Sequence, residues 1–114
     1  YLFLTGRTAE LIISGGVNIY PAEIDAVILE HPAVRDVACV GVPNDEWGEE
    51  VKAVVEVRDD VEADDALARE LIAFCRDRLA HFKCPHTVDF VDDLPRFETG
   101  KIYRRLVRER YWPA

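Results

Sequence analysis

The sequence predicts an α+β domain, with a small mixed sheet of about three strands packed by two to three helices and an N-terminal two-stranded hairpin. Three observations predict it. Apolar residues recur at helical spacing in two stretches, short β-branched runs lie between and after them, and glycine or proline marks the junctions. Tyr1–Leu4 and Glu10–Ile13 read as short strands joined by a turn around Gly6. Ser14-Gly15-Gly16 then breaks regular structure, because consecutive glycines reach conformations closed to other residues. Pro21 falls at a first helical position, with Glu23 and Asp25 in the first turn where the helix dipole favours acids. Ile24, Val27 and Ile28 form its apolar stripe, and His31-Pro32 ends it, since the residue before proline is pushed out of helical geometry.

Val34–Val42 reads as a mostly buried strand, and Val51–Val57 alternates apolar with charged residues like a second. Asp64 or Asp65 caps a helix reaching about Leu79, whose Leu67, Leu71, Phe74, Cys75 and Leu79 share one face. Thr87–Val91 gives a third strand and Lys101–Arg110 a last helix, with the helices expected on one side of the sheet.

At 114 residues the chain suits one domain with a modest core, and 49% hydrophobic with 32% charged residues separates it from disordered sequences. Apolar runs such as 37–42 are too short to cross a bilayer, and no signal peptide is visible. A net charge of −8 argues against a nucleic-acid surface. Asp59, Asp60, Glu62, Asp64 and Asp65 read as a solvated loop and helix start. Arg96, Lys101, Arg104, Arg105, Arg108 and Arg110 crowd the C-terminus, either as a solvated helix face or as a contact surface for an anionic ligand or partner domain. Cys39, Cys75 and Cys84 lack metal-ligand spacing and fit a reducing, cytoplasmic setting, with Cys39 and Cys75 expected in the core. The chain has no Met and opens on Tyr1-Leu2-Phe3-Leu4, which reads as the middle of a strand. It is therefore expected to be a fragment of a longer protein.

Several residues are candidates for chemistry. Lys101 follows Gly100 in Pro95-Arg96-Phe97-Glu98-Thr99-Gly100-Lys101, where a point cation can meet a carboxylate or phosphate; its alternative is an ordinary surface lysine. Gly15-Gly16 is either a backbone wall for a thin ligand or a tight turn between strand and helix. Trp47, in a polar loop, is a stacking platform or a lid on the core, and Phe82-Lys83 suits a purine beside a phosphate or anchors a helix end. His31, His81 and His86 are dispersed, and neither a triad nor a metal site is assigned.

In order along the chain, these segments resemble the C-terminal domain of the adenylate-forming superfamily, which comprises acyl-CoA synthetases, peptide-synthetase adenylation domains and luciferases. Arg7–Ile24 resembles the family's hinge motif, and Pro95–Lys101 its catalytic-lysine motif. Glu30-His31-Pro32-Ala33-Val34, the stretch 41–49 and His81-Phe82-Lys83-Cys84-Pro85 resemble intervening signatures, so the likeness covers essentially the whole chain. The resemblance implies an ATP-dependent acid–CoA ligase shared with a large N-terminal domain, with Mg2+ arriving with ATP through that domain. Lys101 would serve acyl-adenylate formation and Arg7 the nucleotide ribose. Ser14, Gly15 and Gly16 would line the pantetheine path, Trp47 and Phe82 would flank the CoA adenine, and Lys83 would lie near its phosphates. Ala9 occupies the hinge position, where the family usually carries Asp or Lys. Phe97 replaces a usual small polar residue, and Cys84 and His86 stand where some relatives carry cations. The alternatives are a domain serving a carrier-protein thiol and a non-catalytic module that retains the fold.

Overall fold

A computed structural model describes residues 11–112, so the expected strand at Tyr1–Leu4, the turn around Gly6, Arg7 and Ala9 lie outside the described residues. Strands β1 (Ile12–Ser14) and β2 (Val17–Ile19) pair antiparallel, with Ile12 opposite Ile19 and Ser14 opposite Val17. The sequence reading carried the glycine pair straight into a helix; it is instead the turn of this hairpin. Gly15 and Gly16 have φ of 58° and 82°, and two positive φ values match the twist of the flanking strands. Helix α1 (Pro21–Ile28) follows with Pro21 at its first turn, burying Ile24 and Ile28 as the apolar stripe requires. His31 then fixes the turn before Pro32. Its Nδ1 accepts from the Ala33 N–H at 3.1 Å, and its Nε2 meets Glu70 at 2.6 Å.

Strands β3 (Val34–Asn44), β4 (Gly48–Val57) and β5 (Thr87–Phe90) lie side by side in that order, the first pair antiparallel and the second parallel. Helix α2 (Asp65–Arg76) makes the crossover that a parallel pair requires. Asp64 is its cap, accepting from the Leu67 N–H at 2.9 Å, an interaction worth about 1 kcal/mol. The helix ends at Arg76 rather than near Leu79, and Phe74 leaves the buried stripe. It packs edge-on to His31 at 5.1 Å and lies beneath the Arg78 guanidinium at 3.5 Å.

Alternation along β3 and β4 sends side chains to two cores, not one. Val37, Cys39, Val51, Ala53 and Val55 pack with α1, α2 and β1, while Ala38, Val40, Val42 and Val54 pack with Leu94 and Val107 on the other face. Val107 belongs to α3 (Arg104–Glu109), so helices cover both faces, which corrects the one-sided arrangement. The last helix also begins at Arg104 and not Lys101. Its short apolar content, with Val107 alone buried, gave the sequence little to place it by.

The outer edge of β3 is closed by side chains. Asp25 accepts from the Cys39 N–H at 2.8 Å, Arg104 donates to the Cys39 carbonyl at 3.0 Å and to Asp25 at 2.7 Å, and Trp112 Nε1 donates to the Gly41 carbonyl at 2.8 Å. Such caps remove the pairing template that a bare edge strand offers. Burial pushes the Asp25 carboxyl above its ordinary value, against the pull of Arg104.

Candidate functional site

The tips of the two hairpins meet. Between β3 and β4, the Asn44 carboxamide oxygen accepts from the N–H groups of Glu46 and Trp47 at 2.8 and 2.7 Å, folding the loop so that Trp47 stands at its end. The Gly15 N–H donates to the Trp47 carbonyl at 2.8 Å, and the six-membered ring of the indole packs close against Gly15. A Cβ there would come within 2.7 Å of the ring atom Cε3, so the close approach needs glycine. Beside this contact opens a cavity of about 240 Å³ lined by Ser14, Gly15, Val17, Ile19, Trp47, His81, Phe82 and His86. Trp47 and Phe82 are each about half exposed, at 49% and 51%, leaving aromatic surface free for a planar ligand.

Four residues expected for CoA, Ser14, Gly15, Trp47 and Phe82, thus come together from three separate segments. Two others do not line this cavity. Gly16 is the exposed second residue of the turn, and Lys83 turns back to Glu23, its ammonium donating to both carboxylate oxygens at 2.9 and 3.0 Å. Sequence reasoning missed Val17, Ile19, His81 and His86. A signal for the first two was available, because a Gly-Gly pair between apolar runs marks a hairpin and brings the second strand to the same wall.

Lys101 lies elsewhere. Arg96 and Ile102 form an isolated antiparallel bridge, and the residues between them make a tight turn. The Phe97 N–H donates to the Lys101 carbonyl at 2.8 Å, and the Gly100 N–H to the Phe97 carbonyl at 2.9 Å. Gly100 has φ of 93°, the left-handed geometry that puts Lys101 at the exit of the turn. The turn is held at its base. Arg96 donates to Asp36 at 2.9 Å and to both Glu56 oxygens at 3.3–3.4 Å, and Glu56 accepts from the Leu94 N–H at 2.6 Å. Lys101 is exposed and has no ion pair among the described residues. Asp36 and Glu56 pair near one end of β3–β4, whereas Asn44 and Gly48 pair at the other. Eight residues of strand separate them along β3, roughly 26 Å at the usual rise. The lysine turn and the Gly15–Trp47 cavity therefore occupy opposite ends of the sheet, both open to solvent.

The basic tail resolves into neither alternative as a whole. Arg96, Arg104 and Arg108 face inward to Asp36 and Glu56, to Asp25, and to Glu49 at 3.7 Å, while Lys101 and Arg105 are exposed. Cys39, Cys75 and Cys84 are all buried free thiols. Burial pushes Cys39 well above its usual pKa and Cys75 up to about 11, which makes these thiols poor nucleophiles. Among the described residues no group of three or more His, Cys, Asp or Glu is arranged to hold a metal, and no helix is long and apolar enough to cross a membrane.

A small α+β domain with an exposed lysine turn at one end and an aromatic cavity at the other defines a class, and comparison with known proteins gives its family. Residues 23–101 match the model of the AMP-binding enzyme C-terminal domain, and the chain belongs to that family. It is 42% identical over 111 residues to the long-chain-fatty-acid–CoA ligase FadD13 of Mycobacterium tuberculosis, covering 97% of this chain and 21% of that protein. It is 45% identical over 108 residues to the 2-succinylbenzoate–CoA ligase of Geobacillus kaustophilus, covering 95% of this chain and 21% of the relative. Among solved structures, the ATP-bound RpMatB-BxBclM chimera B1 superposes with a TM-score of 0.86 at 44% identity, over 91% of this chain and 21% of the chimera. The chain thus spans about a fifth of the length of the relatives it matches.

Proposed function

We propose that this chain is the C-terminal lid of an ATP-dependent acid–CoA ligase, working beside a large N-terminal domain like those of its relatives. In the first half-reaction a carboxylate oxygen attacks the α-phosphorus of ATP, and pyrophosphate leaves with the electron pair of the broken P–O bond. The Lys101 ammonium lies between carboxylate and phosphate oxygens and stabilises the negative charge as it redistributes. The lid then turns and presents its other end. The pantetheine arm passes the glycine turn at Ser14-Gly15-Gly16, the adenine lies between Trp47 and Phe82, and the CoA sulfur attacks the acyl carbonyl to release AMP. ATP and CoA are the co-substrates of this reading, and Mg2+ would come with ATP through the large domain. Arg7 serves the nucleotide and Ala9 the hinge. Lys83 reaches the CoA phosphates only by leaving Glu23, so in the described arrangement it is held in reserve.

The observation that carries this reading is the separation of the two ends. A lysine turn anchored at one end of a small sheet and an aromatic cavity at the other, with about 26 Å of strand between Asp36 and Asn44, cannot serve one reacting centre at the same time, but can serve it in turn. In the ligase that carries both domains, Lys101→Ala is expected to lower acid-dependent ATP–pyrophosphate exchange by about 100-fold or more while sparing thioester formation from supplied acyl-adenylate. Trp47→Ala is expected to raise the KM for CoA about tenfold and leave exchange unchanged, as loss of one base–aromatic stack would. Equal loss of both half-reactions in either variant rejects the division of labour. A CoA requirement indifferent to Trp47, with free pantetheine serving as well as CoA, would favour a carrier-protein thiol instead.

A further inference from the structure

The lysine turn carries an aromatic pair that its backbone does not require. The Phe97 ring lies on the Tyr103 ring with centroids 4.2 Å apart and planes 17° from parallel. Phe97 remains 48% exposed, so the outer part of its ring is open to solvent beside the turn. The register explains what the pair flanks. With Arg96 opposite Ile102, residue 97 stands opposite residue 101, and alternation puts residue 103 on that same face. Phe97, Lys101 and Tyr103 therefore share one face of the bridge, with Lys101 directly opposite Phe97 and two residues before Tyr103, beside the diagonal pair of stacked rings. Tyr103 is fixed in turn, because its N–H donates to the Pro95 carbonyl at 2.8 Å and it leads directly into α3. The base of the turn already has its own anchor in Arg96, Asp36 and Glu56. The stack thus spans the bridge and ties residue 97, on the tip side, to residue 103 at the root.

We infer that Phe97 and Tyr103 are a positioning pair for Lys101: their stacked rings form a rigid wall along the lysine stem and confine the ammonium to the outward direction that adenylation needs. The inference rests on the role proposed above for Lys101. Neither ring takes or gives a proton in the reaction. Their contribution is to narrow the orientations of a flexible four-carbon stem before the substrate arrives, and a displacement of about 1 Å at such a group can cost about two orders of magnitude in rate.

The test uses the ligase with both domains and measures both half-reactions for Phe97→Ala, Tyr103→Ala, the double variant and Phe97→Trp. Each alanine variant is expected to lower kcat for ATP–pyrophosphate exchange about tenfold, with KM for ATP and acid within about twofold. Thioester formation from supplied acyl-adenylate should be unchanged, which also controls for folding. The double variant should lose no more than either single one, since the rings act as a unit. Phe97→Trp should restore most of the rate. Full exchange activity in both alanine variants overturns the inference while leaving Lys101 in its role, provided Lys101→Ala still abolishes exchange. Equal loss in both half-reactions assigns the rings to lid folding and overturns it too. Should Lys101→Ala leave exchange intact, the parent reading and the inference fall together.

Discussion

Gly15 is where local geometry and the cavity are most tightly joined. Its positive φ costs an L-residue about 1–2 kcal/mol, and a methyl group there meets the Trp47 ring at 2.7 Å, with no flexible chain end to give way. Gly15→Ala is expected to lose at least that stability in urea unfolding and to shift the emission of Trp47, read in a Trp112→Phe background that is itself the reference. Unchanged emission and midpoint would show that the indole does not rest on the turn. A second residue-scale cluster sets a pH dependence. Lys52 donates to Asp89 at 3.0 Å and the Tyr111 hydroxyl to its other oxygen at 2.8 Å. Burial pushes the Asp89 carboxyl up, but the Tyr111 and Lys52 contacts together outweigh it and hold the group below its ordinary value. Because the folded state binds that proton less readily, the stabilisation is present above the unfolded value of about 3.9 and is lost as pH falls through the lower folded value. Asp89→Asn should therefore lower Tm at pH 7, and the gap from the parent should shrink steadily below about pH 4. A gap constant across that range would mean that the carboxylate charge contributes nothing.

At the scale of elements, Glu56 joins β4 to the segment that bears the lysine turn. It is 2% exposed, and its oxygens accept from Leu94 N–H, Arg35 and Arg96. Removing it leaves the Leu94 amide without its acceptor, while Arg96 keeps Asp36 and Arg35 keeps Asp59, at about 1–3 kcal/mol. Glu56→Ala is expected to cost that much in denaturant unfolding and to speed hydrogen exchange at the Leu94 amide. Glu56→Gln should cost less, since an oxygen acceptor remains; equal effects from both would place the energy in packing. In the sequence this glutamate was one charged residue in an alternating strand, and alternation alone reads it as solvent-facing. Its burial comes with the Leu94–Arg96 segment folding onto that face, contacts between residues some forty positions apart. Elements defined by local rules were legible. Pro21 opened α1, Asp64 capped α2, and the β-branched runs gave β3 and β4. The β1–β2 hairpin and the start of α3 were misplaced, because the turn at Gly-Gly was taken to lead to a helix instead of a second strand, and Gly-Lys was read as a helix start instead of a bridge.

For the molecule as a whole, the sequence named half of the cavity wall but not its arrangement. Ser14, Gly15, Trp47 and Phe82 lie on three segments, and only the antiparallel register of β3 and β4 brings the Trp47 loop onto the glycine turn. The same register sends the lysine turn to the far end. That distance argues for the last expectation. On the role proposed for Lys101, carboxylate and triphosphate must both reach its ammonium, and the aromatic cavity, about 26 Å of strand from the base of that turn, does not hold them there. An ammonium standing on an exposed turn in high dielectric stabilises little charge unless a second surface closes over it and excludes water. The isolated 114-residue chain, with two cores of its own and a capped edge strand, is expected to unfold cooperatively but to give no ATP–pyrophosphate exchange with fatty or aromatic acids. Exchange above the uncatalysed background by this chain alone, abolished by Lys101→Ala, would mean that this domain carries an acid and nucleotide site of its own and need not take turns with another.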